Sequence, residues 1–204
     1  MAQRTAKTSA ATRQHILRAA LKRFAHGGYA ATSVQHIVDD AKVSKPTLYY
    51  YFTDKARLFQ ALVDSAHDEQ FRLIQSAAAR AKDLKSQLVE ILSALFEHFS
   101  TNRELTRIAL ATAFAAPGEV PAGLRYLDKC RRNFESVHAL FKRGQAEGRL
   151  DRRFDSRELA HGFYGQMNVY VMAHLVMPHW PLDRRTAERI VELFLEGAAA
   201  KRGK

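Results

Sequence analysis

The stretch TSVQHIVDDAKVSKPTLYYYFTDK, residues 32–55, is the most informative part of this sequence. Thr32 and Ser33 are N-cap residue types, and Gln35 follows Thr32 at capping-box spacing, which predicts a helix start. The apolar residues that follow recur at helical spacing: Val34, Ile37, Val38 and Ala41. We therefore predict a short helix that ends in a tight turn after Ala41.

A second short helix is predicted to begin directly after this turn. Ser44 is its N-cap, and Pro46 is tolerated in its first turn, where the amides lack intrahelical partners. Leu48 and Phe52 lie four residues apart and are predicted to face inward, whereas the hydroxyls and cations around them face outward. Two helices joined in this way can place the N-terminal half of the second in a DNA major groove.

The segment before this pair supplies a scaffold helix. Residues 13–24 carry an apolar stripe flanked by cations: Ile16, Leu17, Ala20, Leu21 and Phe24. Gly27 and Gly28 follow, and glycine tolerates the left-handed conformation in which helices often end. Residues 13–54 are therefore predicted to form a helix-turn-helix DNA-binding domain.

Three consecutive tyrosines, residues 49–51, lie on the second helix of the pair. Neighbouring helical residues point about 100° apart, so the three rings cannot all face one core. At least one is predicted to be exposed beside Lys45 and Thr47, as on a surface that contacts DNA. The alternative is that the aromatic run packs in an all-helical core.

A set of residues at fixed spacing across residues 16–62 carries a family resemblance: Ala20, Phe24, Gly28, Tyr29, Thr32, Ser33, Val34, Val43, Ser44, Lys45, Thr47, Leu48, Tyr49, Phe52 and Lys55. The run resembles the N-terminal domain of the TetR family of bacterial transcriptional regulators. The rest of the chain resembles the family only in length and helical pattern. One departure is Lys42, which stands where members usually carry glycine; if a positive φ is needed there, lysine adopts it at a modest cost.

The resemblance implies DNA contacts for nine residues of this chain. Ser33 and Lys55 are expected to bind phosphates, and Gln35 to face the groove. Tyr49 is expected to be partly buried with its hydroxyl near a phosphate. The recognition helix is expected to reach base edges or the backbone through Lys45, Pro46, Thr47, Tyr50 and Tyr51.

The positive charge of the chain is concentrated near its N-terminus. Residues 1–55 contain nine Lys and Arg residues against three Asp, and the whole chain has a formal net charge of +11. Such a bias suits a phosphate-facing surface. Residues 1–12 are predicted to be a flexible basic arm in which Arg4 and Lys7 follow DNA, or else a solvated tail.

Residues 55–200 are predicted to be helical, and the resemblance implies that they form a regulatory and dimerisation domain. Helices are expected from Lys55, from Asp83, from about Arg103, from Pro121 to about Glu147, from about Ser156 to Met177, and from Asp183 to Leu195. No segment alternates like a strand, so the chain is predicted to be all-α with about nine helices.

The resemblance implies that this second domain dimerises through its last two helices. The apolar residues of the helix at 156–177 cover more than one face, and Gly162 and Gly165 allow another helix to approach closely. We therefore predict a symmetric homodimer. Burial within a larger monomeric core is the alternative.

A ligand pocket is also implied, for a hydrophobic or aromatic small-molecule effector. The residues predicted to line it are Phe96, Phe99, Phe114, Tyr126, Phe134, His138, Phe141, Tyr164 and Asn168. Ordinary core packing is the alternative for each of them.

Together with these features, the resemblance implies a ligand-responsive repressor that binds a palindromic operator as a homodimer. A non-specific, nucleoid-type DNA binder without an effector is the alternative. No nucleophile elbow, phosphate loop or His-Glu zinc motif is present in the sequence, so no enzyme activity is expected. Cys130 is the only cysteine, and no metal or cofactor is predicted. No signal peptide or membrane-spanning run is evident, which predicts a cytoplasmic protein.

Overall fold

The computed structural model describes residues 2–197, with side chains described from Ser9 onward. Within this range the chain forms nine α-helices and no described residue lies in a β-strand, which confirms the predicted fold class. The helices are α1 (Ala2–Ala31), α2 (Val34–Ala41), α3 (Lys45–Tyr51), α4 (Lys55–Ala78), α5 (Leu84–Thr101), α6 (Arg103–Phe114), α7 (Leu127–Ala146), α8 (Ser156–Val176) and α9 (Arg184–Glu196).

The first helix differs from prediction at its start. Residues 2–12, expected to form an arm, are part of α1. The contacts expected for Arg4 and Lys7 concern side chains outside the described part. Near its end α1 is interrupted at Gly28, whose φ of 73° and ψ of 169° are not helical. The glycine pair thus ends the regular helix where the sequence predicts an end.

The start of α2 lies one residue later than the predicted capping box. Ser33 is the N-cap, and its hydroxyl accepts a hydrogen bond from the His36 amide at 3.2 Å. Thr32 is instead buried, and its hydroxyl donates to the carbonyl oxygens of Gly28 at 2.7 Å and Arg23 at 3.2 Å. The predicted pairing of Thr32 with Gln35 is therefore wrong, because the threonine hydroxyl is used to hold the end of α1.

The predicted α3 is confirmed. Ser44 is its N-cap and accepts from the Thr47 amide at 3.2 Å, with a proline in the first turn. Leu48 is fully buried and Phe52 is 4% exposed. The two inward-facing residues therefore fix which side of α3 stays in contact with solvent.

The turn between α2 and α3 requires a left-handed residue, and Lys42 supplies it with φ 49° and ψ 44°. It is the one non-glycine residue with positive φ among those described. The Lys42 amide donates to the Val38 and Asp39 carbonyls, which completes the end of α2.

Lys42→Gly is expected to stabilise the folded chain by about 0.5–1 kcal/mol, because glycine adopts positive φ without the steric cost that a Cβ atom brings. Urea unfolding of the two proteins measures the difference. Lys45→Gly is the matched control: it removes the same charge from a helical position and should destabilise. Equal effects of the two changes would contradict the conformational explanation.

The described chain divides into two compact units. The first comprises residues up to 67 together with residues 104–127. Its core contains apolar residues of α1 to α4 and Ile108 of α6: Ile16, Leu17, Ala20, Phe24, Ile37, Val38, Ala41, Leu48, Phe52, Leu58, Phe59, Leu62, Val63 and Ile108. The first turns of α4 and the segment containing α6 thus pack in the same core as the helix-turn-helix. The functional boundary after residue 54 stays a prediction.

The second unit comprises residues 68–103 and 128 onward. Helices α5 and α9 pack against each other, and α8 contacts both. Phe141, Phe163 and Phe194 form an aromatic cluster with ring centroids 5.6–5.7 Å apart. Asp83, Asp155 and Asp183 each cap the start of a helix through their side chains. None of the described helices is long and apolar enough to cross a bilayer.

Candidate DNA-binding surface

The exposed side of α3 carries most of the predicted DNA contacts. Lys45 and Pro46 are exposed at its start. Tyr50 is 80% exposed and Tyr49 is 47% exposed, so neither ring is buried. Thr47 is half-buried, with its hydroxyl 2.8 Å from that of Ser44. The aromatic run therefore does not pack as a unit in the core, which contradicts the alternative interpretation.

Tyr50 and Tyr51 form a pair in which one ring supports the other. Their centroids are 5.0 Å apart and the ring planes are nearly perpendicular, at 86°. The Tyr51 hydroxyl donates to the Ser9 hydroxyl of α1 at 3.1 Å. Tyr51 therefore connects α3 with α1 and holds the ring of Tyr50 in place.

Ser33 and Gln35 lie exposed at the start of α2. The Ser33 hydroxyl acts as the N-cap, which leaves its second lone pair and its own hydrogen available. The Gln35 side-chain amide donates to the Asp39 carboxylate at 2.7 Å. A contact from Gln35 to DNA therefore uses its remaining N–H or requires this bond to open.

Lys55, which was expected to bind a DNA phosphate, already makes hydrogen bonds within the protein. Its ammonium group donates to the carbonyl oxygens of Tyr29 at 2.9 Å and Thr32 at 2.8 Å. It also lies 4.2 Å from the centroid of the Tyr29 ring. Burial lowers the pKa of the Lys55 amine. The lysine at the start of α4 therefore anchors the segment that joins α1 to α2.

Arg23 and Asp40 form an ion pair that sequence reasoning did not find. The guanidinium donates to both carboxylate oxygens, at 2.5 and 2.6 Å. The hydrogen bond from Arg23 holds the pKa of Asp40 below its usual value. The pair joins α1 to α2 across 17 residues of sequence. Basic residues on α1 thus serve in part to hold the domain together, and Lys42 and Lys45 remain exposed beside α3.

The residues predicted to line an effector pocket are divided between the two units. Phe114, 81% exposed, and Tyr126, which stacks on His67, belong to the first unit. Phe96 and Phe141 are fully buried in the second unit and pack as ordinary core residues. The other five, all in the second unit, are Phe99, Phe134, His138, Tyr164 and Asn168.

Three of these five lie together. The Phe134 ring centroid is 5.6 Å from that of Tyr164 and 6.1 Å from that of His138. His138 uses both ring nitrogens, one 3.0 Å from the Glu135 carboxylate and one 2.9 Å from the Ser156 hydroxyl. The Tyr164 hydroxyl is buried and has no hydrogen-bond partner among the described residues, and burial raises its pKa. No group of three metal-binding side chains occurs among the residues that the structure describes.

Comparison with known proteins finds a family match within the first unit. The family described as "Bacterial regulatory proteins, tetR family" matches residues 16–62, the segment from α1 to the first turns of α4. This segment of the chain is similar to the TetR family. The matched residues include α2, the turn at Lys42, α3 and Lys55. The resemblance inferred from the sequence is therefore confirmed.

Curated relatives align with between a third and three fifths of the chain. The HTH-type transcriptional regulator TtgR of Pseudomonas putida is 35% identical over 77 residues, which is 38% of this chain and 37% of that protein. The HTH-type transcriptional regulator AcrR of Shigella flexneri is 32% identical over 115 residues, 56% of this chain and 53% of that protein. The chain thus spans about half or less of the length of these relatives.

Solved structures resemble the whole fold. The fatty acid degradation regulator FadR from Bacillus halodurans has a TM-score of 0.82 at 19% identity, covering 93% of this chain and 97% of that chain. FadR from Bacillus subtilis, in complex with stearoyl-CoA, has a TM-score of 0.78 at 18% identity, covering 91% and 99%. At these identities the likeness establishes the fold, including the second unit, which the family match does not reach.

Proposed function

We propose that this protein is a TetR-family transcriptional regulator that binds a palindromic operator as a homodimer and represses until an effector binds. The observation that carries the proposal is the solvent-exposed side of α3, where Lys45, Pro46, Tyr49 and Tyr50 project from a helix fixed by Leu48 and Phe52. Lysine donates to guanine, and apolar groups contact the thymine methyl. A surface of this kind suits base edges in the major groove.

Phosphate contacts complete the proposed interface. Ser33 at the start of α2 has a hydroxyl hydrogen to donate. An ammonium group has three N–H donors, and the carbonyls of Tyr29 and Thr32 use two of those on Lys55. The third is proposed to bind a phosphate, so that one side chain both positions the start of α2 and neutralises DNA charge.

The exposed face of α8 supports the proposed homodimer. Gly162, Gly165, Val169, Met172 and Val176 are exposed and recur at alternating spacings of three and four residues, as in helix seams. Val169 is 58% and Val176 is 80% exposed. A Cβ atom on Gly165 would meet nothing within 4 Å in the described structure. The glycine is thus not required by packing within this unit, and it lets a partner helix approach.

The effector is proposed to be hydrophobic or aromatic and to bind in the second unit. The Tyr164 hydroxyl supports this, because a buried hydroxyl without a partner costs free energy that a ligand acceptor or donor would recover. Phe134 beside it offers an apolar face. Because the Bacillus subtilis FadR structure contains stearoyl-CoA, long acyl thioesters belong among the first compounds to test.

Binding of effector and of DNA must be linked reciprocally. A ligand that prefers the form with lower DNA affinity loses affinity itself when DNA is bound, by the same factor. Couplings of about 1–3 kcal/mol are typical. Helix α4 begins at Lys55 and contributes to both units, and we propose that the effector acts on the DNA-binding domain through it.

Selection of bound sequences from random duplex DNA at near-physiological salt tests the proposal. A recovered palindrome is expected, with half-sites about one helical turn apart. Uniform recovery, with binding that disappears as salt rises, would instead establish the non-specific nucleoid-type binder.

Tyr50→Ala is expected to weaken operator binding by about 1–3 kcal/mol per subunit and to relax selectivity at the bases it contacts. Stability should change little, since the ring is 80% exposed. Fluorescence anisotropy with operator and scrambled duplexes measures both effects. Phe154→Ala removes another exposed ring, from the second unit, and serves as the control. An equal loss of affinity on both duplexes would show that Tyr50 does not read bases.

A further inference from the structure

The first unit contains a cavity of about 350 Å³ that none of the nine predicted effector residues lines. Its walls come from α1 (Phe24 and residues 27–31), from Phe59 of α4, and from six residues in and after α6: Ile108, Ala111, Thr112, Ala115, Glu119 and Val120. Small-molecule sites in proteins have volumes of about 300–1,000 Å³. The cavity is therefore large enough for a compact ligand, and it lies next to the segment that leads into α2.

One wall of the cavity is aromatic. Phe24, Tyr29 and Phe59 contact one another with ring centroids 5.2–5.8 Å apart, and two of the three pairs meet edge to face. Ile108 and Ala111 of α6 add aliphatic surface. Gly28 also lines the cavity, and a Cβ atom built on it would meet no atom of the described residues within 4 Å. The main chain at this point therefore offers a ligand direct access.

The charge of the cavity indicates the ligand class. Among the described residues that line it, Glu119 is the one acidic or basic side chain. One of its carboxylate oxygens accepts a hydrogen bond from the Ala116 amide at 2.9 Å, which holds the side chain in place. The other oxygen is available to a cation. The Phe24 and Phe59 rings also attract cations, whereas the Lys55 ammonium already lies over the Tyr29 ring. We propose that this cavity is a second small-molecule site, which takes a compact aromatic ammonium ion.

Ligand binding in this cavity is expected to change the affinity for DNA, and this part of the inference rests on the proposed function. The wall at residues 27–31 is held by two groups: the Tyr29 carbonyl accepts from Lys55, and the Gly28 carbonyl accepts from the Thr32 hydroxyl. Ser33, the N-cap of α2, follows directly. A ligand that contacts this wall therefore acts on the start of α2 and on Lys55, both of which are proposed phosphate contacts.

Binding is tested on the full chain labelled with ¹⁵N at its ten glycines. The probe is 2-(1-naphthyl)ethylammonium, and 3-(1-naphthyl)propanoate, with the same ring system and the opposite charge, is the control. The amide signals of Gly27 and Gly28 are expected to shift with a Kd of about 0.1–1 mM, typical of a small fragment. Gly162 and Gly165, in the second unit, should not shift. Shifts at those two alone, or equal binding of the carboxylate, would overturn the proposed site.

Two variants locate the ligand within the cavity. Glu119→Gln is expected to weaken binding of the ammonium probe about tenfold and to leave the carboxylate unaffected. Ala111→Trp should fill the cavity and abolish the Gly27 and Gly28 shifts. Ala113→Trp, on the same helix but outside the cavity lining, is the matched control. Retained binding in the Ala111 variant would refute the location.

The regulatory step is measured separately, as operator affinity with and without saturating probe. A change in Kd of about fivefold or more is expected. If glycine shifts occur but the operator Kd changes less than about twofold, the site stands and its coupling to DNA is refuted. If the chain binds no operator even without the probe, the proposed function fails, and the regulatory step fails with it, whereas the glycine shifts still decide the site.

Discussion

Val169→Glu combined with Met172→Glu is expected to convert the proposed dimer to monomers of 23.1 kDa and to lower operator affinity by about a hundredfold or more. Both residues lie on the exposed apolar stripe of α8. In a two-fold symmetric interface each substitution occurs twice, so four carboxylates would have to be buried without partners, at a cost of several kcal/mol each. Operator affinity falls because a single α3 then binds one half-site alone.

Sedimentation velocity measures the mass, and anisotropy measures affinity on full and half operators. The variant should bind a half operator as the unsubstituted chain does, since α3 is unchanged. Ala139→Glu, which adds one carboxylate at an exposed position of α7, is the control and should remain dimeric. A dimeric double variant would show that the α8 stripe is not the interface.

Lys55→Met is expected to have the second large effect, because the side chain has two roles. Methionine keeps most of the apolar stem but removes the ammonium from the Tyr29 and Thr32 carbonyls. Without these two bonds the free energy of unfolding should fall by about 1–3 kcal/mol. Without its proposed phosphate contact, each subunit should bind every DNA sequence more weakly, and the salt slope should fall by about one for each phosphate that is no longer neutralised.

The two measurements separate the roles of Lys55. Urea unfolding reports the anchoring bonds, and the dependence of affinity on salt reports the phosphate contact. Lys22→Met is the matched control, since Lys22 is an exposed cation of α1 in the same unit. Lower stability with an unchanged slope would leave Lys55 as an anchor only. An unchanged stability would contradict the anchoring role.

The elements best predicted from the sequence are those whose signals lie within a few residues. Ser44, Pro46, Leu48 and Phe52 specify the start and the inward face of α3 without help from the rest of the chain. Lys42 is a similar case, because a turn between two short helices requires one left-handed residue. Local geometry of this kind is encoded by neighbours in sequence, so it can be inferred before any tertiary contact is known.

The predictions that were wrong concern residues whose structure depends on partners far away in the sequence. Thr32 has the right spacing for an N-cap, yet its hydroxyl bonds to α1 and leaves that role to Ser33. The sequence predicts a helix from Pro121, whereas α7 begins at Leu127. The reason is that Val120, Leu124 and Tyr126 pack against the core of the first unit, and this packing favours an irregular chain over another helical turn.

The DNA-contact candidates show the same division. Their positions on α2, α3 and α4 follow from the sequence, but the bonds of Lys55 to carbonyls and of Tyr51 to Ser9 do not. The Arg23–Asp40 ion pair could not be predicted either. A count of charged residues does not distinguish a cation that binds DNA from one that pairs with a carboxylate. Hydrogen-bond partners across long sequence separations depend on the packed structure.

The first unit is built from two separate stretches of the chain, and this affects when it can complete its folding during synthesis. Ile108 belongs to the core of the DNA-binding unit, but it follows residue 67 by many residues along the chain. At roughly 5–20 residues per second of translation, roughly 2–8 s separate the emergence of these two positions from the ribosome. During that interval the nascent first unit lacks Ile108, the last buried residue of its core. It is therefore expected to complete its core only after α6 has emerged, which delays its binding to DNA until later in synthesis.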